Sequence, residues 1–222
     1  MRRPRWDNDS STNVTTMGTV SRATLGDPAP IDDSPTRTRI LDAADSCFAR
    51  FGVLKTTMRD IAAEADISRA TLYRYFGDRD DLVLGVILRE AGKFIERLDK
   101  MFDRQELFQD TIVEGILTAV AEVRADDRLA LLFTPEAAGM TGTIAGASEA
   151  LFQVTGEFLR PRLEAARDLG QLRADIELDD AVEWILRTIL SLLTVSGPRM
   201  RTKASEREFI RAFVVPSLVV SD

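Results

Sequence analysis

Apolar residues recur at helical spacing through most of the chain. Ile40, Ala43, Ala44, Cys47, Phe48 and Phe51 fall three or four apart, a single helical stripe that begins near Thr36 and that Gly52 stops. The stretch from Thr57 to Phe76 reads as two short helices at an angle. Thr57 caps the first, with Asp60 three residues on in the capping-box place, and Ile61, Ala62 and Ala65 form its inner face. Asp66 and Ile67 make the turn and Ser68 caps the second helix. In that helix Leu72, Tyr75 and Phe76 pack inward while Arg69, Ala70, Tyr73 and Arg74 point out.

Asp80 and Asp81 then open a long helix to about Phe102, followed by another from Gln105 to Val123. Glu136 to Ser148 lacks large side chains and holds Gly139, Gly142 and Gly146, which predicts a loop or loosely packed turn. A helix from Glu149 to Leu169 carries Pro161, which predicts a bend, and Gly170 ends it. Two more helices lie near Asp179 to Val195 and Ser205 to Val220, separated by Gly197 and Pro198. Nothing alternates at period two. The fold class is all-α: an N-terminal three-helix helix-turn-helix domain at 35–80, joined by a long helix to a larger C-terminal helical domain at 81–222. Residues 1–34 are polar and end in Gly26-Asp27-Pro28-Ala29-Pro30, which predicts a disordered tail; Met17 is a second candidate start.

Composition narrows the function classes. No run approaches the roughly 18 apolar residues of a membrane span, and no apolar segment follows the Arg-rich start, so the expectation is a cytoplasmic protein without a membrane partner. The single cysteine, Cys47, excludes an intramolecular disulfide and lies on a core stripe. The chain has no histidine, the commonest zinc ligand and the usual general base. With no convergent carboxylate pair, phosphate-binding glycine loop or nucleophile motif either, an enzyme is disfavoured and no metal or cofactor is expected.

The net charge of −7 looks wrong for a protein that binds nucleic acid, but it is unevenly spread. Residues 1–34 carry −1 and residues 80–222 carry −8, whereas 35–79 hold eight basic groups against six acidic. DNA contact is therefore confined to that segment. A B-form major groove admits one helix, and an outward arginine can grip guanine there with two hydrogen bonds. Hydroxyls and amides at Thr57 and Ser68 suit phosphate oxygens. The arginines of the tail are offset by five aspartates, favouring a plain leader over a minor-groove arm.

The segment from Thr36 to about Leu84 resembles the N-terminal domain of the TetR family of transcription regulators. The likeness is carried by Ala43-Ala44, Phe48, Phe51-Gly52, Thr56-Thr57, Ile61-Ala62, Ala65, Ile67-Ser68, Thr71-Leu72-Tyr73, Tyr75-Phe76, Arg79 and Leu82. It implies that Arg59, Arg69, Ala70 and Tyr73 face base edges and that Thr57, Ser68, Thr71, Arg74 and Tyr75 hold the phosphate backbone. Arg79 stands where the family usually has lysine, implying a phosphate contact of different geometry. Asp66 stands where a turn glycine is common.

One such motif reads only a few base pairs, so a homodimer spanning two half-sites about 34–36 Å apart is expected. The last two helices, apolar nearly all round, supply the interface candidates Trp184, Ile185, Ile189, Leu192, Phe209 and Phe213. The resemblance also implies an effector site in the C-terminal domain. Its candidate lining is Phe102, Phe108, Ile112, Ile116, Phe133, Met140, Phe152 and Phe158, each taken singly more readily read as plain core, with the glycine-rich stretch near 139–146 as a mobile portal. That lining predicts a small lipophilic effector. Two readings stand: a repressor released from a near-palindromic operator by such an effector, and a DNA-binding activator or architectural protein without one.

Overall fold

The computed structural model describes residues 34–102 (backbone alone from 99), 108–195, 197–199 and 201–220. The expected tail lies outside the described residues except for Ser34, as does the expected helix start at Gln105. Three helices form the head: α1 (Pro35–Phe51), α2 (Met58–Glu64) and α3 (Arg69–Tyr75). They are followed by α4 (Arg79–Phe102), α5 (Phe108–Ala125), α6 (Asp127–Leu132), α7 (Ala138–Gly146), α8 (Glu149–Asp168), α9 (Leu178–Thr194), α10 (Lys203–Phe213) and α11 (Val215–Leu218). No strand occurs among the described residues, only an isolated antiparallel bridge between Leu172 and Val219.

The apolar stripe of α1 is the keel of the head. Ile40, Leu41, Ala44, Cys47 and Phe48 are buried against Ile61, Ala62 and Ala65 of α2, Leu72 of α3, and Leu82, Val83 and Val86 of α4. Gly85 lets α4 come this close: a Cβ there would stand 2.8 Å from the Phe76 ring and 3.0 Å from Leu41. The same cluster runs on into Leu132 after the head ends, and takes in Ala145 and Leu186. A second cluster joins α5, α8, α9, α10 and α11 through residues such as Val113, Leu163, Val182, Ile210 and Leu218. The long helix α4 is thus shared, its first turns in the head's core and its later turns against α8.

Two expectations are corrected. The stretch expected as a loop at Glu136 to Ser148 contains the helix α7. Its glycines oppose helix formation by propensity, but Gly142 lets α7 lie on α9, with Thr194 Cγ2 only 3.1 Å from where a Cβ would be. Buried Thr141 pins the helix further by donating to the Leu132 carbonyl at 2.6 Å. The helix expected from Ser205 to Val220 is broken in two at Val214, next to Pro216. The short α6, capped by the Asp126 carboxylate, had no sequence expectation. Among the described residues no helix is long and apolar enough to cross a membrane.

Candidate nucleic-acid interface and internal cavity

The turn between α2 and α3 sets the angle at which the second short helix is presented. Asp66 has φ +50° there, the one positive φ outside glycine among the described residues, in a conformation aspartate tolerates better than most side chains. The Ile67 amide closes the turn on the Ala62 carbonyl at 3.0 Å. Thr57 caps α2 reciprocally: its hydroxyl accepts from the Asp60 amide and donates to the Asp60 carboxylate at 2.6 Å, and that carboxylate also accepts from the Thr57 amide at 3.1 Å. These bonds hold the Asp60 carboxyl below its ordinary value. Ser68 caps α3, accepting from the Thr71 amide at 3.0 Å and sharing a hydrogen bond with the Thr71 hydroxyl.

Burial of Leu72 and Phe76 leaves Arg69, Ala70, Tyr73 and Arg74 exposed on the outer face of α3, Tyr73 by 53%. Arg59, on the preceding helix α2, is exposed as well. Tyr75 is half-buried, and its phenol is lowered by hydrogen bonding with Ser34 above all, then with Arg74 and Thr36. The hydroxyls of Thr57, Ser68 and Thr71 close the caps just described. Arg79 is turned toward the protein: it donates to the Leu54 carbonyl at 2.9 Å and to the Met140 sulfur at 3.3 Å, tying the turn after α1 to α7.

Behind the head, a cavity of about 420 Å³ lies between α4, α5, α6, α8 and α9. Phe108, Ile112, Ile116, Phe133 and Phe158 line it. Met140 does not, being the partner of Arg79, and Phe152 does not, packing instead on the second core cluster under the Arg160 guanidinium. The side chain of Phe102 lies outside the description. No residue of α7 lines the cavity, so this helix is not its portal. Sequence reasoning missed the contribution of α4, where Ile87, Ala91, Phe94, Ile95 and Leu98 form one stripe. Their three-and-four spacing was readable, and lying beyond the head's core it pointed to a second partner.

Four charged side chains in the wall are bound to neighbours. Arg97 of α4 pairs with Glu122 of α5 across the seam between the two helices. Glu90 accepts from Arg89 at 3.1 Å and from Lys93 at 2.8 Å. Arg162 donates to the Phe158 carbonyl at 2.6 Å and stacks 3.9 Å from the centre of its ring.

The six interface candidates divide. Ile185 is buried within the protomer and, with Ile189, faces the cavity; Leu192 packs on the second core cluster. The reason is the stagger of α9, whose outer line runs through Trp184, Thr188 and Ser191 instead. Trp184 is 43% exposed and Phe213 of α10 is 67% exposed, with the Phe209 ring 5.0 Å from that of Phe213. These are large apolar surfaces left open on the protomer.

Residues 40–86 match the model of the bacterial regulatory proteins of the tetR family. An uncharacterized HTH-type transcriptional regulator of Mycobacterium tuberculosis is 34% identical over 80% of this chain and 83% of its own length. The HTH-type transcriptional regulator UidR of Escherichia coli K12 is 27% identical over 84% of this chain and 95% of its own. Among solved structures, the TetR family repressor AlkX from Dietzia shares the fold with a TM-score of 0.59 at 21% identity, covering 86% of this chain and 97% of AlkX. RolR in complex with resorcinol does so at 0.61 and 18%, covering 82% and 87%.

Proposed function

This chain belongs to the TetR family of DNA-binding transcriptional regulators, and on that premise we propose that it is a repressor whose homodimer leaves a near-palindromic operator when a small lipophilic molecule enters the cavity. The observation that carries the reading is one continuous helix. The first turns of α4 are packed into the head through Leu82, Val83 and Val86, and its later turns wall the cavity through Phe94, Ile95 and Leu98. A ligand that fits one arrangement of α4 better than another shifts the head by that difference in affinity, typically 1–3 kcal/mol.

Arg69, Ala70, Tyr73 and Arg59 are assigned to base edges, and Arg74 and Tyr75 to the phosphate backbone with Thr57, Ser68 and Thr71. Arg79 is assigned to the tie between Leu54 and Met140 rather than to phosphate. Trp184 and Phe213 are assigned to the contact with a second copy, because exposed aromatic surface of this size is typical of interface anchors. RolR, of the same fold, was solved holding resorcinol, which accords with a small-molecule role for the cavity in this architecture.

Selection of bound fragments from a randomised duplex library tests the reading. Two half-sites centred one helical turn apart are expected, protected by a species of twice the protomer mass. Recovery of no preferred sequence would overturn it.

A further inference from the structure

Resting on the effector reading of the cavity, we infer that its ligand carries no formal charge: it is a compact hydrocarbon-rich molecule with a neutral hydrogen-bonding group, an alcohol, ketone, phenol or lactone rather than an acid or an amine.

Size comes first. At about 420 Å³ the space falls near the lower end of the roughly 300–1,000 Å³ that enclosed ligands of drug size occupy. A molecule with a bulky polar carrier would leave that carrier outside.

Charge comes second, and it is the deciding point. Taking an ion out of water into a mostly apolar wall is unfavourable unless a counter-charge awaits it. The cationic side chains of the wall are Arg97 and Arg162. Arg97 is clasped by Glu122, and Arg162 is held by the Phe158 carbonyl and stacked on the Phe158 ring. The anionic side chains are Glu90, Glu122 and Asp126. Glu90 takes Arg89 and Lys93, Glu122 takes Arg97, and Asp126 accepts from the amides of Arg128 and Leu129 at 2.9 and 3.0 Å to cap α6. An ammonium entering here would have to draw Glu90 or Glu122 out of an ion pair already made, and a carboxylate would have to take Arg97 from Glu122 or pull Arg162 away from the Phe158 carbonyl and ring. A neutral donor or acceptor meets no such requirement, since carboxylate oxygens engaged in one bond retain lone pairs and Thr155 also lines the space.

The experiment uses the full-length protein at pH 7 and ligand sets sharing one skeleton: 1-decanol, decanoate and decylamine, and the naphthalene series of 2-naphthol, 2-naphthoate and 2-naphthylmethylamine. Affinity is read by displacement of an environment-sensitive apolar dye and by native mass spectrometry. The neutral member of at least one set is expected to bind at least tenfold tighter than both ions, and Gly115→Phe, which places a ring in the cavity from α5, is expected to abolish that binding while leaving far-ultraviolet circular dichroism unchanged. Should Gly115→Phe misfold, Ala119→Leu, a smaller intrusion from the same wall, is expected to weaken binding in its place. Decanoate or an amine bound as tightly as its neutral counterpart overturns the inference and leaves the effector reading intact. Binding of none of the six overturns both, and binding that survives a folded cavity-filling variant shows a surface site and overturns the inference.

Discussion

Arg89 of α4 reaches Asp45 of α1 through a 2.5 Å hydrogen bond from Nη2 to Oδ2, and only 6% of the Asp45 side chain is open to solvent. The same guanidinium holds Asp42 at 3.0 Å and Glu90 at 3.1 Å, and Arg128 of α6 stands 3.6 Å from Asp45. The head and the helices behind it are therefore joined by a polar knot as well as by α4. Burial nevertheless outweighs the attraction of Arg89 and Arg128 and raises the Asp45 carboxyl above its ordinary 3.8.

That raised value fixes the sign of a pH effect. The folded chain holds the Asp45 proton more tightly than the unfolded chain, so the stability gained from protonation is complete below 3.8 and is lost as pH rises through the folded-state value. The unfolding free energy of the parent minus that of Asp45→Asn is expected to fall across this window and then level off. Urea titrations at a series of pH values measure it; a difference that climbs with pH would reverse the sign assigned to Asp45.

Arg69→Ala and Tyr73→Ala each remove an exposed group from the outer face of α3 without touching Leu72 or Phe76. Each is expected to weaken binding to the selected duplex by about 1–3 kcal/mol and to relax preference at one position per half-site. Fluorescence anisotropy on the parent duplex and on single-base variants provides the readout. Retention of parental affinity by both would remove α3 from the reading role.

Asp66 holds a backbone conformation better suited to glycine. Asp66→Gly relieves that strain but enlarges the freedom of the unfolded chain, so the net gain in stability is expected to stay below about 1 kcal/mol. Removing a negative charge from the motif is also expected to tighten DNA binding and steepen its salt dependence slightly. Calorimetry and binding across a salt series measure both effects, and a loss of stability would mean that the aspartate side chain contributes more than its backbone strain costs.

Gly85→Val drives methyl groups into the Phe76 ring and Leu41, both buried. Overpacking of this kind costs about 1–3 kcal/mol, and here it also pushes α4 away from α1. Thermal unfolding is expected to fall accordingly, with operator affinity falling further than for a surface substitution of equal destabilisation.

The head was legible because each of its signals is local. Thr57 and Asp60 are three residues apart, Ser68 and Thr71 likewise, and the inward residues of α3 repeat within one turn, so sequence distance and spatial distance coincide. The remainder depended on contacts between distant segments. Nothing near Gly142 announces Thr194, and without that contact three glycines argue against a helix. The resemblance alone implied a phosphate contact for Arg79, because the Leu54 carbonyl and the Met140 sulfur that it meets lie 25 and 61 residues away. Of the cavity lining, Phe108, Ile112, Ile116, Phe133 and Phe158 were recovered from apolar and aromatic content. Which aromatic residue faced the space and which filled the core turned on the rotation of α8, where Phe158 and Phe152 lie on different sides.

The cavity wall and the head's core draw on largely separate residues, with Ile87, Leu151 and Leu186 among those common to both. Exchange of one hydrocarbon side chain for another along α5, or along α8 and α9 away from Leu151, Leu186 and Leu190, therefore leaves the head's core in place. What the cavity accepts can thus be altered without rebuilding the head, the part of the chain that together with the start of α4 matches the family model at residues 40–86.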